Sequence, residues 1–226
     1  MLLFLATLGC QRPPAPACPA PVAVTLPARE IALAVPRAPR PPVLAQHDDD
    51  AIWQTAAGTG PWKMPQSQAA ARPYSNARLL WDAENLYVCL YAADQDIEAQ
   101  GARSDAFLVQ IQAEQPTAPI LTLAIAPTGQ VAELARLAMG LDATWRSEAQ
   151  VSMDRDGSLN DAAGEDDEEW VAFVALPWSQ VGMTAQVGLR LQLRLERCDV
   201  PKDGVRRCGE WTQAVMLADT PTMASR

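Results

Sequence analysis

Histidine occurs once in the 226 residues, as His47. A Ser-His-Asp hydrolase and a multi-histidine metal centre each need imidazole inside a fixed constellation, and a lone histidine builds neither. Basic residues are also few: 18 Lys and Arg face 27 Asp and Glu, for a formal charge of −9. A chain this acidic lacks the electrostatic footprint of a nucleic-acid binder, so no nucleic-acid partner is expected. No apolar run approaches the ~20 residues of a spanning helix. Phe and Tyr number three each against seven Trp. The tryptophans are therefore the first residues to sort between core and binding surface.

The first segment reads as an address. Residues 1–9 (MLLFLATLG) are a short apolar run ending in small residues before Cys10, the pattern of a lipoprotein signal peptide. The expectation is lipidation at Cys10 and a membrane partner through that lipid anchor. Gln11, rather than Asp, follows the cysteine, so the expected location is the cell envelope, at the outer membrane. Residues 10–44 form a tether: positions 11–44 hold ten of the 19 prolines. Proline lacks an N–H and has a fixed φ, so this stretch reads as extended linker. IALAV at 31–35 has the composition of an edge strand, but linker is the preferred reading. The folded domain is assigned to residues 45–218 and a tail to 219–226.

Within the domain the apolar period is two. Val187, Leu189, Leu191, Leu193 and Leu195 alternate with Gly188, Arg190, Gln192, Arg194 and Glu196, one buried and one solvated face of a strand. Residues 86–93 (LYVCLYAA) are apolar on both faces, as in a central strand. Further strands are expected at 77–81, 105–114, 120–127, 144–154, 168–177 and 210–217. The fold class is all-β, an antiparallel, jelly-roll-like β-sandwich with little helix. Residues 51–57 predict a helical turn or two behind an Asp cap. Residues 131–139 (VAELARLAM) have helical composition.

Cys198 and Cys208 flank DVPKDGVRR, a loop that predicts a disulfide at a hairpin end in an exported protein. Cys89 reads as an inert core thiol and Cys18 as a thiol in the tether. Eight carboxylates lie between Asp154 and Glu169. Within them Asp154, Asp156, Asn160 and Glu165 fall at positions 1, 3, 7 and 12 of an oxygen-rich loop, a candidate Ca²⁺ ligand set. A solvated acidic loop is the competing expectation, and no other cofactor is indicated. Catalysis by paired carboxylates needs two acids held across a cleft, which a charged loop does not supply.

Four patterns occur in one order: DDDAIWQTA (48–56), LLWDAENLYVCLYAAD (79–94), SDAFLVQIQ (104–112) and DDEEWVAFVALPW (166–178), followed by the long alternating strand and Trp211. In this combination the chain resembles the family 9 carbohydrate-binding modules over about residues 45–217. The resemblance implies a non-catalytic β-sandwich that binds poly- or oligosaccharide, with tryptophan walls and a structural calcium ion. Carried over by position, Trp211 is the binding tryptophan. Gln192, Arg190 and Arg194 form the polar row beside it, and Asp105 marks the adjoining strand. Trp62, in the Gly-Pro loop GTGPWK, is either an exposed platform or a loop anchor. Ala102 occupies the position of the second tryptophan wall, Phe173 that of an acid, and Leu108 and Gln112 those of two more acids. The expected function is glycan binding by a monomeric envelope lipoprotein through an altered site. The alternative is a structural or protein-interaction lipoprotein that kept the fold and lost the sugar. Trp53, Trp81, Trp170 and Trp178 lie in the fold-defining patterns and are assigned to the core, as is Trp145 to packing.

Overall fold

The computed structural model describes residues 31–45, 50–100, 104–115, 117–160, 169–199 and 204–219. The expectations that fall on Cys10, Cys18, His47, Ala102 and Glu165 lie outside these residues. Among the described residues twelve strands form two packed sheets. One has the order β1 (Leu33–Pro36), β12 (Arg207–Ala218), β11 (Arg190–Asp199), β5 (Ala106–Ala113), β6 (Ile120–Ile125), β7 (Val131–Leu137) and β8 (Gly140–Asp142). The other has β2 (Ala57–Gly58), β3 (Ser75–Trp81), β4 (Asn85–Ala93), β10 (Glu169–Pro177) and β9 (Gln150–Asp156). This is the all-β sandwich that the alternation predicts.

The alternating apolar rows meet between the sheets. Leu191, Leu193 and Leu195 of β11, Phe107, Val109 and Ile111 of β5, and Leu86, Val88, Leu90 and Ala92 of β4 are all buried there. Phe107 and Trp170 pack with ring centroids 4.3 Å apart and planes tilted by 44°. Trp81 and Trp178 belong to this core and Trp145 packs against it, its indole N–H donating to the Gln180 carbonyl. The Asp82–Asn85 hairpin holds itself through Asp82, whose carboxylate accepts from the Glu84 and Asn85 N–H groups and the Tyr87 hydroxyl.

The strands that read as apolar on both faces are covered twice. A 3-10 turn, Ala51–Thr55, drops Ile52 and Trp53 onto the outer face of the five-stranded sheet. There they meet Tyr87, Cys89, Val171 and Phe173, a second small core. Asp50 caps the turn by accepting from the Ile52 N–H; it also accepts from the Val43 N–H and from both terminal nitrogens of Arg40. The Arg40 hydrogen bonds foremost, together with those two N–H groups, hold the Asp50 carboxyl well below the usual carboxylate range. A depressed carboxyl stabilises the fold above its unfolded value near 3.8, and that contribution is lost as pH falls below it. Asp50→Asn is expected to cost about 2 kcal/mol near neutrality. In urea titrations from pH 6 to pH 2, the gap between wild type and variant closes toward the acid end. A gap that stays constant with pH would show that the charge of Asp50 is not what matters.

Two expectations are corrected. Residues 131–137 form strand β7, not a helix: Ala126 and Gly129 make a turn that folds β7 back on β6, with Leu121 paired to Ala135 and Leu123 to Glu133. Gly129 has φ +82°. Sheet pairing thus overrides a helical composition that has no buried stripe to support it. The second correction concerns the tether. Leu33–Pro36 runs parallel to β12, Leu33 opposite Val215 and Val35 opposite Leu217, and Val35 is fully buried. Proline is accommodated here because β1 is an edge strand and Pro36 ends it.

Candidate functional site

Register decides which of the expected site residues share a surface. In an antiparallel pair, directly opposed residues leave the sheet on the same side. Arg190, Gln192, Arg194 and Glu196 of β11 form one row on the outer face of the seven-stranded sheet, opposite Met216, Ala214, Thr212 and Glu210 of β12. On the other flank Gln192 faces Gln112, Arg194 faces Gln110 and Glu196 faces Leu108 of β5. Gln110 in turn lies beside Thr122 of β6.

The result is a polar ribbon across four strands. Arg194 Nε donates to Glu210 Oε2 at 3.0 Å, Nη2 to Glu196 Oε2 at 2.5 Å, and Nη1 to Gln110 Oε1 at 3.2 Å. Gln110 Nε2 continues to Thr122 Oγ1 at 3.3 Å. Arg190 pairs with Glu114 at 3.0 Å. Gln192 Oε1 is sealed from solvent and has no hydrogen-bond partner among the described residues. On the same face a shallow groove of about 420 Å³ runs past Ala106, Ala124 and Ala132, with Gln130 at its rim.

The other expected ligand residues do not join this ribbon. Trp211 lies directly opposite Leu195, so its indole leaves the sheet on the side of the leucine row and packs, half-buried, against the main core. Trp62 is the loop anchor of the two readings. It is 1% exposed, lies edge-on to Phe107 at 5.8 Å and donates its indole N–H to Thr59 Oγ1. Asp105 is fully buried, because it continues the inward phase of Phe107, Val109 and Ile111. The assignment of Trp62, Trp211 and Asp105 to the binding face is therefore corrected.

Of the candidate calcium ligands, Glu165 lies outside the described residues and the other three are placed as follows. Asp154 and Asp156 lie in β9, opposite Val171 and Glu169. The side-chain oxygen of Asn160 accepts from the Ala99 N–H at 2.8 Å. Cys198 and Cys208 do form the expected disulfide, across the β11–β12 pair. Its loop of about ten residues contributes roughly 3 kcal/mol in the chain-entropy treatment.

A charged cluster that the sequence reading passed over sits at the disulfide end of the sandwich. Asp94 follows the inward row of β4, Asp105 precedes that of β5, and Arg197 and Asp199 continue that of β11. All four are nearly or fully buried, as is Asp96. Arg197 Nη2 lies 2.6 Å from Asp94 Oδ2 and 3.3 Å from Asp199 Oδ1. Trp170 donates its indole N–H to Asp94 Oδ2 at 3.1 Å. Burial pushes the Asp199 carboxyl up to about 6, against the pull of Arg197. A signal was present: in each strand a strictly apolar inward row runs into a charge. Tyr74 and Tyr91 were also passed over. They form an edge-to-face pair at 6.1 Å on the outer face of the five-stranded sheet, with Tyr74 43% exposed and its hydroxyl accepting from Asn76.

No protein-family model matches the chain, and no curated protein matches it. Solved structures match in fold. A family 9 carbohydrate-binding module from Caldicellulosiruptor kristjanssonii, in complex with cellotriose, superposes with a TM-score of 0.56 at 13% identity, covering 87% of this chain and 98% of the other. The same module with glucose gives 0.56 at 13% over 86% and 100%. A Bacteroides uniformis structure described as a candidate carbohydrate-binding protein gives 0.52 at 9% over 73% and 88%. In fold, the described domain is a β-sandwich like that of the family 9 carbohydrate-binding modules.

Proposed function

We propose that the domain binds carbohydrate without catalysing its turnover, as a lipoprotein anchored through Cys10 in the cell envelope, at the outer membrane. The observation that carries the reading is the ribbon of Arg190, Gln192, Arg194, Gln110 and Thr122 beside an alanine-floored groove. Hydroxyl-rich ligands need closely spaced donors and acceptors on a firm base. A β-sheet supplies such spacing, and the carboxylate and amide partners of Arg194 hold its fork in place. Small side chains in the groove let a sugar ring approach the sheet.

Affinity electrophoresis and a glycan array on the purified protein test the reading. Binding to at least one glycan is expected, and the double variant Gln192→Ala, Arg194→Ala weakens it at least tenfold. Trp211→Ala leaves the affinity of the folded fraction unchanged, because the indole is on the other side of the sheet. If Tyr74→Ala abolishes binding and the double variant does not, the site moves to the five-stranded sheet. Absence of binding to plant, fungal and bacterial glycans overturns the reading. One feature favours the protein-interaction alternative in that event: Leu137, Met139 and Leu141 are exposed together at the β7–β8 turn, Met139 at 97%. An apolar hairpin tip of this kind suits a protein partner.

A further inference from the structure

We propose that the β7–β8 hairpin tip inserts into the surface of the bilayer to which the chain is anchored. The tip runs from Leu137 to Leu141 at the free edge of the seven-stranded sheet. Its large side chains face solvent: Leu137 is 44% exposed, Met139 97% and Leu141 64%. Two-residue hairpin turns ordinarily carry Gly, Asn, Asp or Ser, which suit both the tight backbone and water. Here Ala138 and Met139 make the turn, between the paired Leu137 and Gly140. Met139 adds almost no burial to the fold. An apolar hairpin exposed at a sheet edge is an aggregation liability in water, and a contact outside the fold removes it.

Register decides which occupant fits. Leu137 stands opposite Gly140, and Leu141 opposite Arg136. Successive residues of a strand alternate sides and directly opposed residues share one. Leu137 and Leu141 therefore leave on opposite faces of the hairpin, with Met139 at the apex between them. A protein surface covers one face of a hairpin, whereas the fluid acyl boundary closes around a tip from every side. Charge points the same way. Residues 134–147 hold Arg136, Arg146 and a single acid, Asp142, in a chain of formal charge −9. Asp142 is engaged locally, accepting from the Thr144 N–H and hydroxyl. Arg136 and Arg146 are exposed. The Ala143 and Trp145 carbonyls hold the Arg146 guanidinium behind the tip, with Glu133 at 3.7 Å. An apolar tip backed by guanidinium groups matches acyl chains beneath anionic headgroups.

Placement in the sheet is the third support. Arg190 and Met216 mark one end of the β11–β12 pair, Cys198 and Cys208 the other. Through β5 and β6 the tip lies at the Arg190 end, and so does β1, opposite residues 215–218. The groove past Gln130 and Ala132 opens toward the disulfide end. Insertion would thus stand the sandwich on the bilayer with the groove held away from it. The chain from Cys10 to Ile31 reaches at most about 75 Å when extended, so the anchor keeps the tip near the surface. The insertion rests on that proposed anchoring for its bilayer, but its test needs no lipid on Cys10.

Met139 is its own reporter, because hydrogen peroxide converts an exposed thioether to the sulfoxide. The full-length chain is treated with dilute peroxide, and Met139 sulfoxide is followed by peptide mass spectrometry. Vesicles of equal parts phosphatidylcholine and phosphatidylglycerol are expected to slow Met139 oxidation about tenfold, while Met153 on β9 keeps its rate. Leu137→Ser combined with Leu141→Ser keeps the reporter and loses the protection. Both positions are exposed, and if that variant fails to fold, the wild-type rates with and without vesicles still decide. A chain found without lipid on Cys10 whose Met139 is protected on vesicles supports the insertion and removes only the anchor. Met139 oxidation that vesicles leave unchanged overturns the proposal. Protection that rises with protein concentration in the absence of lipid overturns it too, in favour of a second copy of the chain.

Discussion

Arg197→Met is expected to lower the unfolding free energy by about 3–5 kcal/mol. Arg194→Met, three residues earlier on the outward face of the same strand, is expected to cost less than about 1 kcal/mol. The two arginines carry the same charge and each touches two carboxylates. Their side chains differ in solvent exposure, 2% for Arg197 and 41% for Arg194. Around Arg194, water screens the charges and re-solvates Glu196 and Glu210 once the guanidinium is gone. Around Arg197, removal leaves Asp94 and Asp199 facing each other in the protein interior without the guanidinium that lies between them. Urea unfolding of the two variants side by side measures the contrast. Equal and mild effects would mean that water reaches the cluster.

Trp62→Ala is expected to cost about 3–5 kcal/mol, the range for deleting a buried indole. Trp62 plugs the end of the core from a loop. Its backbone N–H donates to the Ser75 carbonyl, its own carbonyl accepts from Ala71, and its ring lies against Phe107. The loop clamps β12 closely: Lys63 and Glu210 exchange both backbone hydrogen bonds. A Cβ on Gly209 would stand 2.5 Å from that of Ala71, so only glycine fits there. Thermal or urea unfolding should therefore show a large loss for Trp62→Ala, with glycan affinity of the folded fraction preserved. A stable variant with lost glycan binding would return Trp62 to the ligand-facing role.

Part of the site could have been read from the chain alone. The expected disulfide sets the register of the last hairpin: three residues before Cys198 is Leu195, and three after Cys208 is Trp211. Directly opposed residues share a face, so Trp211 goes with the leucines and away from Arg194. The buried charges were legible in the same way. Leu86, Val88, Leu90 and Ala92 lead in steps of two to Asp94, and Leu191, Leu193 and Leu195 lead to Arg197. What no single strand reveals is that these charges converge, since Asp94 and Asp199 are 105 residues apart along the chain and meet only when the sheets stack.

Alternation of apolar and polar residues determined that this chain is a β-sandwich, which strands are central and which face of β11 is wet. Those properties depend on a period of two, and neighbouring residues suffice to set it. Tertiary structure alone decided that residues 131–137 are a strand, that part of the proline-rich segment joins the sheet beside β12, and that Trp62 is an anchor. Each of these depends on a partner strand or a pocket supplied from far along the chain. Local propensity, worth a few tenths of a kcal/mol per residue, yields to that partner's hydrogen bonds and buried area.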